Sequence, residues 1–275
     1  MRSGNTPVKV LVAGAAGRMG RQILKSILDN PRTMLVGGYD RPDHPDVGKD
    51  LGTLADTTPA KINLKPSLEK AAIDSGARVV IDFTNPDACL RNLAMASEFS
   101  LAAVIGTTGF TGAQKEEIRE ISVKRPIVLA PNMSVGVNML FKLVSMAAQR
   151  LGESWDMEVV EAHHHFKEDA PSGTALMLAE IMSQAKGLKF KDSAIYCRQG
   201  RIGARRPTEI GIQTVRAGDI VGEHTVYMCG NGERLELIHR ASSRSNFAQG
   251  AVRAAIWLAQ QGPGLYDMQD VLGLR

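Results

Sequence analysis

From Val10 to Gly20 the chain reads Val-Leu-Val-Ala-Gly-Ala-Ala-Gly-Arg-Met-Gly, an apolar run rich in valine that breaks into three glycines at a regular spacing. The run predicts a strand over 8–13, and Met19, Ile23, Leu24, Ile27 and Leu28 recur at helical spacing on one face just after it. Each glycine between them has its own physical use. Gly14 permits the tight turn, Gly17 lets backbone approach a pyrophosphate, and Gly20 lets helix pack closely on strand. The helix start adds free N–H groups and the positive end of a dipole. Asp40 ends the next predicted strand, placed to accept from a ribose 2′-OH, while Arg18 and Arg41 can meet a 2′-phosphate. The pattern therefore predicts a dinucleotide site made by Gly14, Ala15, Ala16, Gly17, Arg18, Met19, Asp40 and Arg41, open to both NADH and NADPH. The bland alternative is a glycine-rich turn used only for packing.

Further β-branched runs at 35–39, 79–83, 102–105 and 127–130 alternate with helical patterns at 86–98 and 113–123. Strands and helices in that alternation predict a doubly wound parallel α/β sheet covered on both faces. Gly106, Thr107 and Thr108 follow the fourth strand, and Ala130, Pro131, Asn132 and Met133 the fifth. Both groups lie at carboxyl strand ends, where open sheets bind ligands, and are expected to flank a nicotinamide. Near Ser134 the pattern changes to a long helix over 135–151, a strand over 157–162, then strands and turns through 195–240, expected to be a mostly antiparallel meander. After Arg240 helical spacing returns, ending at Gly262-Pro263-Gly264. The expected organisation is a dinucleotide-binding domain over 1–133, with 241–275 packing back on it, and a second α+β domain over 134–240 for substrate and oligomerisation.

With 44% hydrophobic residues in 275, there is enough apolar material for two cores. A net charge of +4 without a basic arm suits anionic small molecules and not nucleic acid. Arg198, Arg201, Arg205 and Arg206 lack interleaved aromatics and read as a solvated or interface loop. The three cysteines are far apart, which argues for neither a disulfide framework nor a thiolate zinc site and points to a reducing, cytoplasmic setting. The first seven residues, with Arg2, have no long apolar stretch of a signal peptide, and no run of about 18 apolar residues predicts a membrane span.

The segment from Glu161 to Ala175, Glu-Ala-His-His-His-Phe-Lys-Glu-Asp-Ala-Pro-Ser-Gly-Thr-Ala, holds half of the six histidines directly after a predicted strand. Ser172 is a good N-cap, so the N–H groups at Gly173, Thr174 and Ala175 can face a carboxylate. Lys167 adds a point charge, and a histidine can give or take a proton near neutrality. This combination is an acid beside an anion trap. Three histidines in a row do not make a metal site, since neighbours in extended chain point apart, and no metal is expected. His165, beside Phe166, reads as structural, and the isolated His44, His224 and His239 as surface or satisfied core residues.

These residues resemble the dihydrodipicolinate reductase family over nearly the whole chain. The 161–175 segment carries the family signature, and the 14–20 loop, Ile81-Asp82-Phe83-Thr84, 105–110, 134–138, 216–224 and Ala241-Ser242-Ser243-Arg244 resemble further family blocks. The resemblance implies an N-terminal Rossmann-like domain, a C-terminal mixed-sheet domain and a homotetramer. It implies reduction of a cyclic dicarboxylate of lysine and diaminopimelate biosynthesis, with His163 as general acid and Lys167 as its catalytic partner. His164, Lys167, Ser172, Gly173 and Thr174 are the implied substrate ligands. Two positions depart from the family's habit: Asp40 stands where Glu is frequent, and Met133 where Phe is frequent. Two rival readings use the same glycine loop: another NAD(P)-dependent amino- or keto-acid dehydrogenase, and a dinucleotide sensor without catalysis.

Overall fold

A computed structural model describes residues 6–275, so Arg2 and the start of the segment read for a targeting signal lie outside the described residues. The elements run β1 (Val8–Ala13), α1 (Arg18–Leu28), β2 (Thr33–Tyr39), α2 (Leu51–Leu54), α3 (Leu68–Ala72), β3 (Val79–Asp82), α4 (Pro86–Glu98), β4 (Ala102–Ile105), α5 (Gly112–Ser122) and β5 (Pro126–Leu129). They continue with α6 (Val135–Leu151), β6 (Asp156–His163), α7 (Gly173–Ala185), α8 (Phe190–Ser193), β7 (Ala194–Ile195), β8 (Ile210–Arg216), β9 (Gly222–Gly230), β10 (Glu233–Ala241), α9 (Ser245–Leu258), β11 (Gly264–Tyr266) and α10 (Met268–Leu272). Two compact units result, one formed by the chain up to 135 with 245–275, the other by 136–244.

The first unit is built on a six-stranded sheet of order β11-β5-β4-β3-β1-β2, with every pairing parallel. Period-two alternation sends side chains of each strand to both faces. Val10, Val12, Ile81 and Val104 pack with Ile23, Leu24 and Ile27 of α1 and with Ala251, Ala255 and Leu258 of α9. Leu11, Val80, Ala103 and Ile105 face the other way, against Cys89 and Leu93 of α4 and Ile118 of α5. The strands are buried on both sides, which is why they read as unbroken apolar runs rather than alternating ones. Each fully buried Leu or Ile here contributes roughly 1.5–3 kcal/mol by the area it removes from water. Helix α9 ends ahead of Gly262-Pro263-Gly264, and from Gly264 the chain runs on as β11, a sixth strand beside β5.

The second unit holds a five-stranded sheet of order β10-β9-β6-β8-β7. The expected mostly antiparallel meander is corrected here. β6 pairs with β8 in parallel, as β7 does with β8, while only β9 is antiparallel to β6 and β10 to β9. The reason is α7, which carries the chain from β6 back so that β8 starts at the same end, as a crossover between parallel strands requires. Met157, Val159, Ile210, Ile212, Val226 and Met228 form the inner face, covered by Leu140 and Val144 of α6 and Leu178 and Met182 of α7.

The arginine loop is largely exposed, as a solvated or interface loop is expected to be, but two of its arginines are tied to the sheet. Arg198 grips Glu158 through two bonds of 2.8 Å, and Arg205 meets Asp156 at 2.6 Å and Glu158 at 3.1 Å. Their guanidinium groups answer a row of carboxylates on the outer side of β6 instead of lying free in solvent, whereas Arg206 is exposed and pairs with Glu209. Among the described residues, no helix is long and apolar enough to cross a membrane.

Candidate active site

At the carboxyl end of the first sheet, β1 turns into α1 through Gly14, whose φ of +60° lies in the left-handed region. A Cβ on Gly20 would fall 2.1 Å from the Gly14 carbonyl oxygen and 2.7 Å from Ala15 Cα, so only glycine lets α1 start this close to the strand. Gly17 is the N-cap of α1, with no side chain capping it and no acidic residue in the first turn. That leaves the backbone N–H groups of the first turn without a side-chain cap behind an exposed glycine, the arrangement that suits a pyrophosphate. The Asp40 carboxylate, carried to the tip of β2, accepts from the Ala16 N–H at 3.1 Å through one oxygen and from the Arg41 N–H at 2.9 Å through the other. Arg18 and Arg41 are exposed, and Arg41 lies 3.4 Å from Asp43. A bound nicotinamide dinucleotide fits this loop, and Gly14 to Met19 with Asp40 are the residues that would hold it.

The loops after β3 and β4 are tied together by a buried carboxylate, Asp82, which the sequence marks only as part of a family block. Asp82 accepts from Thr84 N–H at 2.8 Å, Thr84 Oγ1 at 2.6 Å, Thr107 Oγ1 at 3.2 Å and Asn92 Nδ2 at 2.7 Å. Thr107 is buried, Thr108 exposed, and Gly106 is backed by the Phe83 ring, which a Cβ would strike at 2.2 Å. After β5, Ala130 is buried and Pro131 exposed, and Asn132 accepts from the Ser134 N–H at 2.9 Å. The Met133 side chain is buried in the core beside α9, so only its backbone faces outward chemistry.

In the second unit the strand pattern itself builds a polar site. Met157, Val159 and Glu161 are the buried positions of β6, so a carboxylate occupies a place where the alternation calls for an apolar side chain. His163 comes next on the same face. Cross-strand register sets Glu161 beside His224 of β9 and Thr214 of β8, and His163 beside Arg216.

Glu161 is fully buried and receives five donors. Oε2 takes His163 Nδ1 at 2.6 Å and Arg216 Nη1 at 2.9 Å. Oε1 takes Arg216 Nη2 at 2.9 Å, the Ser172 N–H at 3.0 Å and Thr214 Oγ1 at 3.3 Å. Burial opposes its charge, but the hydrogen bonds from His163, Arg216 and Ser172 outweigh burial and hold the carboxyl down at about 2.

His224 is buried, with Nε2 3.0 Å from Ser172 Oγ and its ring 5.3 Å from that of His163, edge on. Burial first, then the neighbouring His163, pushes it down to about 3, so it is neutral at physiological pH. Isolated in sequence, it is not isolated in space.

Ser172 caps α7, its Oγ accepting from the Ala175 N–H at 3.2 Å. Gly173 opens the helix into empty space, where a Cβ would meet nothing within 4 Å. Thr174 follows on the same first turn, half-buried. Lys167 sits on the loop between β6 and α7, and its Nζ is 2.7 Å from Asp169, whose carboxyl it holds below the usual range. His164 Nε2 lies 3.3 Å from Arg244 Nη2, a pure donor, so the neutral ring accepts there and carries its proton on Nδ1. Burial and then the Arg244 charge keep that ring's pKa below the ordinary histidine value. His165 bonds the Gly218 carbonyl at 2.9 Å and packs against the Phe166 ring, tilted, at 3.8 Å, which is a loop-holding arrangement. Among the described residues, no group of three or more His, Cys, Asp or Glu side chains is placed to hold a metal.

The second unit therefore gathers His163, His164, Lys167, Ser172, Gly173 and Thr174 on and around the C-terminal end of β6 and the start of α7. Glu161, Arg216, His224 and Arg244 join them, although the residue-by-residue reading gave them no role. For Glu161 and His224 the signal was available, as polar residues on the inner face of alternating strands. Arg216 and Arg244 come from distant segments, and only the folded register shows their partners.

Comparison with known proteins agrees with this arrangement. Residues 8–133 match the family model described as dihydrodipicolinate reductase, N-terminus, and residues 136–272 its C-terminus. A 4-hydroxy-tetrahydrodipicolinate reductase from Anaeromyxobacter dehalogenans is 51% identical over 267 residues, covering 97% of this chain and 98% of that one. One of the same name from Syntrophotalea carbinolica is 50% identical, covering 98% and 100%. The structure of a dipicolinate-bound dihydrodipicolinate reductase from Paenisporosarcina sp. TG-14 superposes with a TM-score of 0.75 at 25% identity, over 96% of this chain and 99% of that one. By its matched family models, by relatives of about half-identical sequence and by its fold, this chain belongs to the dihydrodipicolinate reductase family.

Proposed function

We propose that this chain catalyses the nicotinamide-dependent reduction of 4-hydroxy-tetrahydrodipicolinate to tetrahydrodipicolinate, a step of lysine and diaminopimelate biosynthesis. The observation that carries the reading is His163, a half-buried imidazole held by a buried carboxylate, standing near a helix N-terminus that can take a substrate carboxylate. Relatives of about 50% identity that carry this reductase's name support it.

When bound, the reduced nicotinamide supplies a hydride to an electron-poor carbon of the conjugated C=C–C=N system left when the ring hydroxyl departs as water. The remaining work belongs to the protein. The first turn of α7, with Gly173 and Thr174, binds one carboxylate through backbone N–H groups and the helix dipole, and Ser172 holds that turn in shape. His164 and Lys167 bind and orient the anionic ring, and the Lys167 ammonium stabilises negative charge as it develops. His163 gives its proton to the resulting enamine carbon, so the product gains one hydride and one proton.

For the cofactor, Gly14 to Met19 cradle the pyrophosphate, Asp40 and Arg41 address the ribose, and Gly106 to Thr108 with Ala130 to Met133 flank the nicotinamide. Asp40 beside Arg41 supports use of both NADH and NADPH. A homotetramer is the assembly that membership of the family supports. On the outer face of the second sheet Val160 and the exposed Val215 and Ile238 stand among charged and polar side chains, a mixed surface that a second subunit would cover.

The test generates the substrate in place from pyruvate and aspartate semialdehyde with the preceding synthase and follows nicotinamide absorbance with each cofactor. Synthase-dependent oxidation is expected, abolished in Lys167→Ala and slowed ~10²–10⁴-fold in His163→Ala, the usual range for a lost acid–base group. No oxidation by a protein that binds the cofactor calorimetrically would overturn the assignment, and a light-scattering mass of one subunit would overturn the tetramer.

A further inference from the structure

We propose that Glu161 is a positioning residue that couples the proton donor to the anion-binding helix: one buried carboxylate sets the tautomer of His163 with one oxygen and anchors the start of α7 with the other. The inference rests on the reductase reading for its catalytic meaning, but its structural content stands alone. The division of labour between the two oxygens is the key observation. Oε2 faces His163 Nδ1 at 2.6 Å, and Oε1 faces the Ser172 N–H at 3.0 Å. Arg216 bridges both oxygens, at 2.9 Å each, and so fixes the plane of the carboxylate.

An ionised carboxylate only accepts hydrogen bonds. With Oε2 at hydrogen-bond distance, Nδ1 of His163 must be the nitrogen that carries the proton in the neutral ring. Nε2 is then the nitrogen that takes up and gives away a second proton, and it lies over Gly222, where a Cβ would come within 3.0 Å. Gly222 thus leaves room beside the working nitrogen, and any larger residue would crowd it. Through its other oxygen Glu161 fixes the backbone at Ser172, whose hydroxyl caps α7 on one side and bonds His224 on the other. A ring and a helix start, separated by the loop that carries Lys167, are thereby held by one rigid group.

Thr214 touches only Oε1, at 3.3 Å, and is the internal control. In Glu161→Gln the amide has one donor end. Turned toward His163, that end forces Nδ1 to accept, which moves the neutral ring's proton to Nε2.

The experiment is nitrogen-15 NMR of the histidine rings in the protein without substrate, on the wild type, Glu161→Gln and Thr214→Val, with steady-state kinetics on all three. The expected result is an Nδ1–H tautomer for His163 in the wild type and in Thr214→Val, and an Nε2–H or mixed tautomer in Glu161→Gln. In Glu161→Gln kcat should fall ~10²–10⁴-fold, the scale seen when a catalytic histidine loses its orienting carboxylate, with KM changed far less. Thr214→Val should keep kcat within about threefold. An Nε2–H tautomer in the wild type overturns the proposal even if Glu161→Gln does not fold. A folded Glu161→Gln that keeps both the tautomer and kcat of the wild type overturns it as well. An inactive wild type that shows the expected tautomers would instead overturn the reductase reading and leave the positioning role intact.

Discussion

Acidification offers a sharp test of the site's electrostatics, because His224 is buried as a neutral ring. Its folded value is about 3 against an ordinary 6.5. Between those values the unfolded chain binds a proton that the folded chain refuses, so stability falls as the pH drops below 6.5 and is unaffected above about 7. Applying the linkage relation to those two values gives a loss of about 3 kcal/mol at pH 4.5, a large part of a normal folding free energy. Glu161, held at about 2 against 4.5, contributes only a few tenths of a kcal/mol over the same interval, since its own loss comes at lower pH. The window from 6.5 to 4.5 therefore belongs chiefly to His224.

The assay is urea unfolding followed by the fluorescence of Trp155, which packs against Gly230 in the second unit, in a Trp257→Phe background that silences the first. His224→Gln keeps a hydrogen-bonding group near Ser172 but cannot titrate. Its stability should fall by about 3 kcal/mol less than that of the parent between pH 7.5 and 4.5. Contributions from His164, His239 and the carboxylates are common to both proteins and cancel. Parallel pH profiles in the two proteins would refute the reasoning.

Three other perturbations have defined outcomes. Gly20→Ala places a methyl 2.1 Å from the Gly14 carbonyl, so the loop must move, and titration of reduced nicotinamide fluorescence should show affinity falling by at least tenfold. Gly250→Ala sets a methyl 1.8 Å from the Met133 carbonyl oxygen, and calorimetry should show a loss on the order of 1–3 kcal/mol, as overpacking generally costs. Ser172→Ala removes the cap of α7 and the hydroxyl that bonds His224 Nε2, so urea unfolding should show about 1–2 kcal/mol lost, with a rise in KM.

The sequence was most legible where a single local requirement ruled. The 14–20 loop announced itself because close packing at Gly20 and the turn at Gly14 admit no side chain. Strands β1, β3 and β4 were visible because both their faces are buried. The cap at Ser172 was visible because capping is local chemistry. What escaped reading depended on register. That β8 lies parallel to β6 follows from a crossover, which turn residues do not encode. Arg216 finds Glu161 only because the two strands align in that register. The strand β11 is three residues long, too short for any periodicity to show. The pairing of Arg198 with Glu158 and of Arg205 with Asp156 was hidden for the same reason: those carboxylates lie about 40 residues or more away in sequence.

The six-stranded sheet is sewn from two segments that flank 136–244, which bears on its birth on the ribosome. Strands β1 to β5 emerge early, yet one apolar face of their sheet is covered in part by α9, and the outer edge beside β5 by β11. Both elements are made after the whole of 136–244. That middle unit has its sheet and both covering helices in one continuous stretch and can settle as soon as it is out, since domains generally fold as units. The half bearing the glycine loop must wait, with valines and isoleucines bare, until 245–275 has followed the middle unit out, so it is the half exposed longest to proteases and to aggregation during synthesis.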